Sequence, residues 1–531
     1  MITVTSDDIA AINQTNHIVM YKLELLDEYL LVTSEVTANA KDVTFNIDAE
    51  SDMRRTGTVT LIITDKSWVE ENFELGWMDK FVRFSVGIMY NGDYRWYKLG
   101  TMIVSSDAFH YDATTNELQL TLTDIMGYLN GERGSQIGTA VKIAVDSVIK
   151  DQIEATIARW SLLKRTEVEE FPDVIPYDLT FNEGIYPYEI LKKVLSLFPW
   201  YEQYFDTEGV YHAGKIPMRI SEPCVLTPSD IDDLVISEKR SMNFSNIKNS
   251  TEIWGKRIAA DYIATTCETV DGSYKIGFLT PLETIEANKK YCFTPDVDSP
   301  ANPTITFTLQ TTAQNGETGE PTTTTTTEVV PILNSDGSAL PAKALVKGRA
   351  YVLRCIFSTS NGELVKTLYL MGQKQIHVIV REMNLAPSAD AKQFDKMRTD
   401  CEDIRYIINP ESPFACDRYN NSDNAHERFS IQNGELRQVL KDGDYASIMT
   451  TELAYQRGEY ENYLRCRMNT DVELTTILIP FIDVNQKIEY TSPVTGVANQ
   501  YIVKSVNMDV SNFTMTMKLS RFYNYYPFYS D

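Results

Sequence analysis

Hydrophobic and polar positions alternate first. From Phe81 to Ile88 the pattern sets Val82, Phe84, Val86 and Ile88 on one face, and Asn91-Gly92-Asp93 behind them is a turn signal, so a new strand begins at Tyr94. Leu118-Gln119-Leu120-Thr121-Leu122-Thr123 alternates again after the polar turn Thr114-Thr115-Asn116. This in-and-out pattern belongs to a sheet with one solvated face, and it predicts a β-barrel or sandwich over residues 1–130.

Between residues 131 and 234 the period changes. In Ala140 to Ile149 the apolar residues fall at 141, 144, 145, 148 and 149, the stripe of an amphipathic helix. A second helix is predicted after Pro187, with Ile190, Leu191, Val194 and Leu195 on its apolar side and Pro199 stopping it. Tyr201 to Phe205 and Val210 to Ile216 flank Asp206-Thr207-Glu208-Gly209 as a hairpin. Helices beside a small sheet predict an α+β unit.

Strand character resumes over Val235 to Lys256, and a segment of different composition follows. Residues 262–382 hold the alternating strands Thr304 to Leu309 and Ala350 to Phe357, with a polar stretch between them that ends in six threonines after Pro321. We read the segment as an inserted β-sandwich. The threonine run is either a flexible tip or an edge strand, because threonine favours strands but the run has no buried face. Ser447 to Met468 is predicted helical, at a cost of about 1 kcal/mol for Gly458. Strands return at Leu474 to Ile479, Tyr501 to Val506 and Phe513 to Leu519, and no period of 20–50 residues repeats.

A chain of 531 residues and 60.4 kDa is too long for one core and predicts about three to five domains. Its 43% hydrophobic content marks a folded protein. The formal charge of -25 argues against a nucleic-acid grip, which needs a basic footprint. Residues 1–130 alone hold 20 acidic and 9 basic side chains. The seven cysteines, Cys224, Cys267, Cys292, Cys355, Cys401, Cys416 and Cys466, are scattered and never spaced as C-x-x-C, so free buried thiols are expected rather than disulfides or a zinc ribbon. The first residues carry no signal-peptide pattern, and no apolar run approaches the roughly 18 residues of a membrane span.

Candidate chemistry is sparse. His17, His110, His212, His377 and His426 form no H-E-x-x-H, and there is neither a G-x-S-x-G elbow nor a phosphate-binding P-loop. Gly131 to Gly138 is glycine-rich but lacks the lysine and the buried parallel strand that phosphate binding requires, and reads as a loop. Cys416 and His426 lie ten residues apart without a visible orienting group. Asp423 to Glu427 and Asn334 to Ser338 offer oxygens but do not continue as calcium loops, and read as solvated turns. The pairs Arg54-Arg55, Lys164-Arg165, Lys192-Lys193 and Lys239-Arg240 read as solvated charge. No catalytic, cofactor-binding or metal-binding residue is therefore assigned, no cofactor is implied, and the expectation is that the protein is not an enzyme.

The order of local patterns resembles the trimeric hub proteins of phage tail baseplates, a family that includes tail-associated proteins of phages of Gram-positive bacteria. Tyr97 to Val104, Tyr111-Asp112 and Leu118 to Asp124 are similar to the end of the family's first tube-like barrel. Asp178 to Phe181, Tyr188 to Leu191 and Tyr204 to Gly209 resemble its small α+β domain, and Asn246 to Asn249 with Ile253-Trp254-Gly255 resembles entry into its second barrel. Pro480 to Tyr490, Tyr501 to Val503 and Thr514 to Met517 leading to Arg521-Phe522-Tyr523 are similar to the closing strands. Residues 262–382 depart from the pattern as an insertion. Many relatives continue into a hydrolase, spike or fibre region, whereas this sequence stops at Asp531, which puts a lytic role in doubt.

The resemblance implies a mainly β protein with α+β. It has a first tube-like β-barrel at 1–130, a small α+β domain at 131–234, a second tube-like barrel with a helical segment at 235–261 and 383–531, and an inserted β-sandwich at 262–382. It further implies a structural hub in the virion, synthesised in the bacterial host cytoplasm, whose homotrimeric ring joins tail tube to tail tip. The partners implied are the tail tube or distal tail protein, the tape-measure protein and other baseplate or tip proteins. The expectation is also that DNA passes through the lumen without specific binding and that no membrane insertion is involved. Acidity would then either repel DNA from the lumen wall or serve solubility alone. The alternatives are a tail-associated cell-wall hydrolase, or an adhesion module in which the insert binds host glycan.

Overall fold

The computed structural model describes residues 4–522, apart from 37–39, 63–79, 112–115, 172–173, 199, 217–220, 244–245, 315–320, 361, 411, 413–414, 416–434 and 467–468. The chain divides into two compact units: Met1–Asn246 with Met468–Asp531, and Ile247–Arg467. Strands predominate, and among the described residues no helix is long and apolar enough to cross a membrane.

The first unit opens with helix Ser6–Ile12, started by a capping box in which Thr5 and Asp8 satisfy each other's backbone N–H groups. Seven strands follow: β1 (Val19–Leu26), β2 (Val32–Val36), β3 (Ala40–Asp48), β4 (Arg55–Ile62), β5 (Phe81–Tyr90), β6 (Asp93–Tyr111) and β7 (Asn116–Asp124). The expected β5–β6 hairpin turns at Asn91-Gly92, both in the left-handed region at φ 53° and 87°. The α+β portion carries β8 (Val141–Ile143), β9 (Thr166–Val168), β10 (Leu179–Phe181), β11 (Tyr201–Phe205) and β12 (Tyr211–Lys215). Its helix Pro187–Leu195 buries Ile190, Leu191, Val194 and Leu195 as the spacing predicts. The helix expected over 140–149 is corrected. Residues 141–143 pair with β10, Asp146 turns the chain at φ 63°, and the helix is Ile149–Trp160, burying Ile149, Ile153 and Ile157. A short apolar run fits both periods, and pairing with β10 decided it. β13 (Val235–Asn243) follows.

The second unit starts on β14 (Ser250–Arg257) and enters β15 (Tyr262–Val270), β16 (Ser273–Phe278), β17 (Lys290–Phe293), β18 (Thr304–Gln314), β19 (Pro321–Leu333), β20 (Tyr351–Ser360) and β21 (Glu363–Gln373). Where the pattern predicts a sandwich, these seven strands close into one barrel in the order β15-β16-β18-β19-β21-β20-β17. Closure follows from the filling: Tyr274, Tyr291, Phe293, Phe307, Leu353 and Leu368 meet in a single core, leaving no second layer to pack. The threonine run is strand, with Thr322 to Thr327 exposed on both faces.

β22 (Gln375–Met383), expected inside the insert, pairs instead with β14. Together with β23 (Asp403–Ile408) and β24 (Arg437–Leu440) these strands form a four-stranded sheet in the order β23-β22-β14-β24. The barrel thus leaves and re-enters between neighbours: Arg257 stands opposite Gln375, and the Ile258 N–H donates to the Lys374 carbonyl at 2.9 Å. The later helix runs Thr451–Arg465, capped by the Thr450 hydroxyl. Gly458 in its middle permits close approach to the sheet, since a Cβ there would lie 2.6 Å from Val380 Cγ2.

β25 (Asn469–Ile477), β26 (Lys487–Thr491), β27 (Ala498–Asp509) and β28 (Thr514–Arg521) return to the first unit. The strands expected to close a second barrel over 235–261 and 383–531 are therefore divided. β14, β22, β23 and β24 form their own sheet, whereas β13 and β25–β28 join β1–β7 in one sheet ordered β13-β25-β28-β27-β3-β4-β7-β6-β5-β1-β2, with β26 paired to β27. The joint is β27 on β3, where Met508 faces Phe45 and Val506 faces Ile47. Those side chains belong to one continuous core with Leu120, Val472 and Met517, so the sheet halves share their buried face.

Candidate functional site: a polar sheet face with two open edges

The face opposite that core is built by register. Thr475, Thr516, Asn507, Asn46, Thr56 and Thr123 stand opposite one another across β25, β28, β27, β3, β4 and β7. A second row, Thr514, Asp509, Thr44, Thr58 and Thr121, runs beside it. Because successive strand residues point to opposite faces, burial of Met515, Met517, Val506, Met508, Val43 and Phe45 on one side leaves these hydroxyl and amide residues on the other. A third row alternates in charge: Lys239, Glu473, Lys518, Ser505 and Asp48. It borders a shallow hollow of about 390 Å³ that Glu50, Asp471 and Lys504 also line. The face is thus uncharged along two rows except for Asp509, and mixed along the third.

Among the described residues both ends of the sheet lack a further strand. Among the described residues β13 pairs only with β25, and β2 only with β1. Val32 to Glu35 are exposed on both faces although β2 is paired with β1 along one edge. Large apolar side chains sit at both edges, with Leu31 and Val32 at 64% and 50% exposure and Ile236 on β13 at 58%.

The α+β portion is fixed beside this sheet by charges that the sequence presents as solvated. Arg54 and Arg55 are buried, which corrects that expectation. Arg54 donates to Glu202 Oε2 at 2.7 Å and lies 3.8 Å over the Tyr204 ring, while Arg55 pairs with Asp483 and donates to the Phe205 carbonyl at 2.8 Å. Burial and the carboxylate of Glu202 push the Tyr204 hydroxyl up to about 12. Burial also raises Asp124, against backbone N–H donation and the two arginines. This network ties the strand β4, the hairpin β11–β12 and the loop after residue 480 together. Nothing in a local Arg-Arg pair signals it, because its four carboxylate and carbonyl partners lie 148 to 430 residues away.

The residues weighed for chemistry lie apart. His212 shares its ring Nε2 with Asp206 at 2.9 Å, and His377 shares its own with Glu252 at 2.9 Å while stacking 3.7 Å from Trp254. His17 meets the Ile12 carbonyl at 2.9 Å. Burial pushes the Cys401 thiol up to about 12 and those of Cys267 and Cys355 to about 11, so these are poor nucleophiles. The Cys401 thiol meets the backbone carbonyl of His377, not its ring. Asn334 to Ser338 is a turn closed by the Ser338 N–H on Asp336 Oδ1 at 2.8 Å. A Cβ on Gly134 would lie 1.9 Å from the Tyr128 carbonyl, so that glycine serves a tight loop. Cys416, His426 and Asp423 to Glu427 lie outside the described residues, as does the side chain of His110. Among the described residues no group of three or more His, Cys, Asp or Glu is placed to hold a metal ion.

A family described as a domain of unknown function, DUF5048, matches residues 426–526. No curated protein matches the chain. Solved structures similar to it include a tail protein from Neisseria meningitidis MC58, at 9% identity and a TM-score of 0.43, covering 96% of this chain and 99% of that one. The 43 kDa tail protein of prophage MuSo2 from Shewanella oneidensis shows 9% identity and a TM-score of 0.43 over 94% of this chain and 98% of that one. The prophage tail protein gp18 from Listeria monocytogenes EGD-e shows 6% identity and a TM-score of 0.38 over 94% of each chain.

Proposed function

We propose that this protein is a structural component of a phage tail or tail-like particle, a baseplate hub whose three copies form a ring joining the tail tube to the tail tip. The observation that carries the reading is the single sheet assembled from both halves of the chain, polar on one face and open at β13 and β2. An open sheet with apolar residues at both edges is completed by pairing its two ends between copies, a head-to-tail contact that closes when the rotation per copy divides the circle. In that ring residues 1–130 form one tube-like portion and β13 with β25–β28 the other, and the rows of threonine and asparagine, apart from the buried Thr123, face the lumen.

This wall suits passage of DNA and of a tape-measure protein for a reason different from bulk acidity. Hydroxyl and amide rows give phosphate no basic footprint, and the lysines of the third row stand beside carboxylates. The wall therefore neither grips nor strongly repels a passing chain. The remaining partners in this reading are the tube or distal tail protein and neighbouring tip proteins.

Native mass spectrometry or light scattering tests it: the expected mass is three times 60.4 kDa, and electron micrographs should show a three-fold ring with a central hole. A strictly monomeric species at micromolar concentration, with its tube partner present, overturns the reading. On a cell-wall zymogram the protein should give no clearing. Clearing abolished by one carboxylate-to-amide change would place the hydrolase alternative first.

A further inference from the structure

The barrel and the sheet of the second unit fill separate cores. Tyr274, Tyr291 and Leu368 meet inside the barrel, whereas Ile253, Val378 and Leu453 meet between the sheet and the helix Thr451–Arg465. A two-strand neck joins them, where the Ile258 N–H donates to the Lys374 carbonyl at 2.9 Å. On the barrel's outer wall Cys292 and Val352 are buried in register with Gly372, and a Cβ on that glycine would lie 3.5 Å from Ile258 Cδ1. Beyond the neck, among the described residues two side-chain bonds reach from the barrel to the rest of the unit. Arg349 pairs with Asp403 at the start of β23, and Gln373 donates to the Thr451 hydroxyl at 2.9 Å.

The neck is built as a hinge. The ladder of β14 on β22 shifts register between Trp254 and Arg257, and Gly372 holds φ 123°, a conformation glycine adopts freely. Hinges absorb their motion at such element ends. Of the two side-chain bonds the charged one is the stronger, and it is partly enclosed, with Asp403 10% and Arg349 27% exposed.

We propose that the Arg349–Asp403 pair is an acid-released clasp: ionised, it fixes the barrel on the sheet, and when Asp403 is protonated the barrel turns on its neck. Asp403 is faced by Arg349 and Tyr351 of the barrel, His377 of β22, the adjacent Glu402, Lys396 of the helix Ala389–Thr399, and Tyr455 of the helix Thr451–Arg465, over whose ring Arg405 lies at 4.0 Å. The Cys401 thiol meets its backbone carbonyl. Burial raises Asp403 above the ordinary aspartate value, against the pull of Arg349, Lys396 and His377. It therefore takes up a proton at a pH where Glu252 and Glu435, both lowered, stay charged and keep the sheet's own pairs. A raised value also means that the folded chain holds this proton more tightly than the unfolded chain, so stability at this residue is gained as pH falls. The clasp opens without unfolding its base. The proposal needs one copy of the chain and stands whether or not three copies form a ring.

Small-angle scattering of the full chain at about pH 7 and about pH 5 tests it, with mass followed by light scattering and strand content by circular dichroism. Both values lie above the isoelectric point of about 4.7. The expected result at the lower pH is a reversible rise in the radius of gyration by at least about 5% of the compact value, at constant mass and strand content. Asp403→Asn, and separately Arg349→Met, should show the larger radius at both pH values. A parent chain whose radius is the same at both overturns the acid release. Variants that stay as compact as the parent at pH 7 overturn the assignment to this pair. Expansion accompanied by a change of mass or a loss of strand signal is dissociation or unfolding, and overturns the clasp as well.

Discussion

Replacing Arg54 with methionine is the sharpest test of how the α+β portion is held. The substitution keeps an unbranched apolar stem but removes the 2.7 Å pair with Glu202, the donation to the Val484 carbonyl at 3.3 Å, and the guanidinium over Tyr204. The Arg54 side chain is 8% exposed and that of Glu202 14%, so the pair belongs with buried ion pairs, whose breakage costs about 3–5 kcal/mol. Asn485 still donates to Glu202 at 2.6 Å and spares part of the orphaned charge, which places the expected loss near the lower end, about 3 kcal/mol. Calorimetry should show the transition of the first unit moved down and that of the second unmoved. The double variant Arg54→Met, Glu202→Leu should recover at least about 1 kcal/mol of the loss, because two apolar groups replace a charge pair at little net cost. A loss below about 0.5 kcal/mol, the range of exposed pairs, would refute the argument and restore the reading of Arg54-Arg55 as solvated charge.

Three further outcomes are expected. A Gly-Ser linker replacing residues 259–373 should leave the rest folded, because the barrel leaves and returns between paired strands. Aggregation on a mass measurement would show that the Arg349–Asp403 and Gln373–Thr451 contacts are essential. Gly458→Val should destabilise the second unit by at least about 1–3 kcal/mol in a urea titration, since its Cβ alone overlaps Val380, and an unchanged midpoint would contradict that packing. Burial raises Glu252 and Glu435, but hydrogen bonds from His377 and Trp254 to the first, and from Arg437 with the charge of Arg381 on the second, outweigh it and leave both below the ordinary carboxylate range. Their stabilisation is therefore complete above that range and lost as pH falls through the lowered values. Acid melts of Glu252→Gln and Glu435→Gln should show less loss of stability below about pH 4 than the parent.

Strand alternation, turn residues and the helix after Pro187 were legible in the sequence because they depend on neighbours a few residues apart. So was the mainly β character with its α+β portion. The hairpin around Gly209 lies within a residue or so of where its turn signal predicts it, whereas the helix at 149–160 lies about one length later than the apolar spacing predicts. Long-range partnership was not legible. Whether seven strands make a sandwich or a closed barrel depends on which inward side chains meet, and Tyr274 and Leu368 are 94 residues apart in sequence. That β27 lies on β3, uniting two ends of the chain in one sheet, is fixed by Met508 against Phe45 and not by either strand's own pattern. The burial of Arg54 and Arg55 follows for the same reason: a charge reads as solvated until its distant carboxylates arrive, and only tertiary structure brings Glu202 and Asp483 to them.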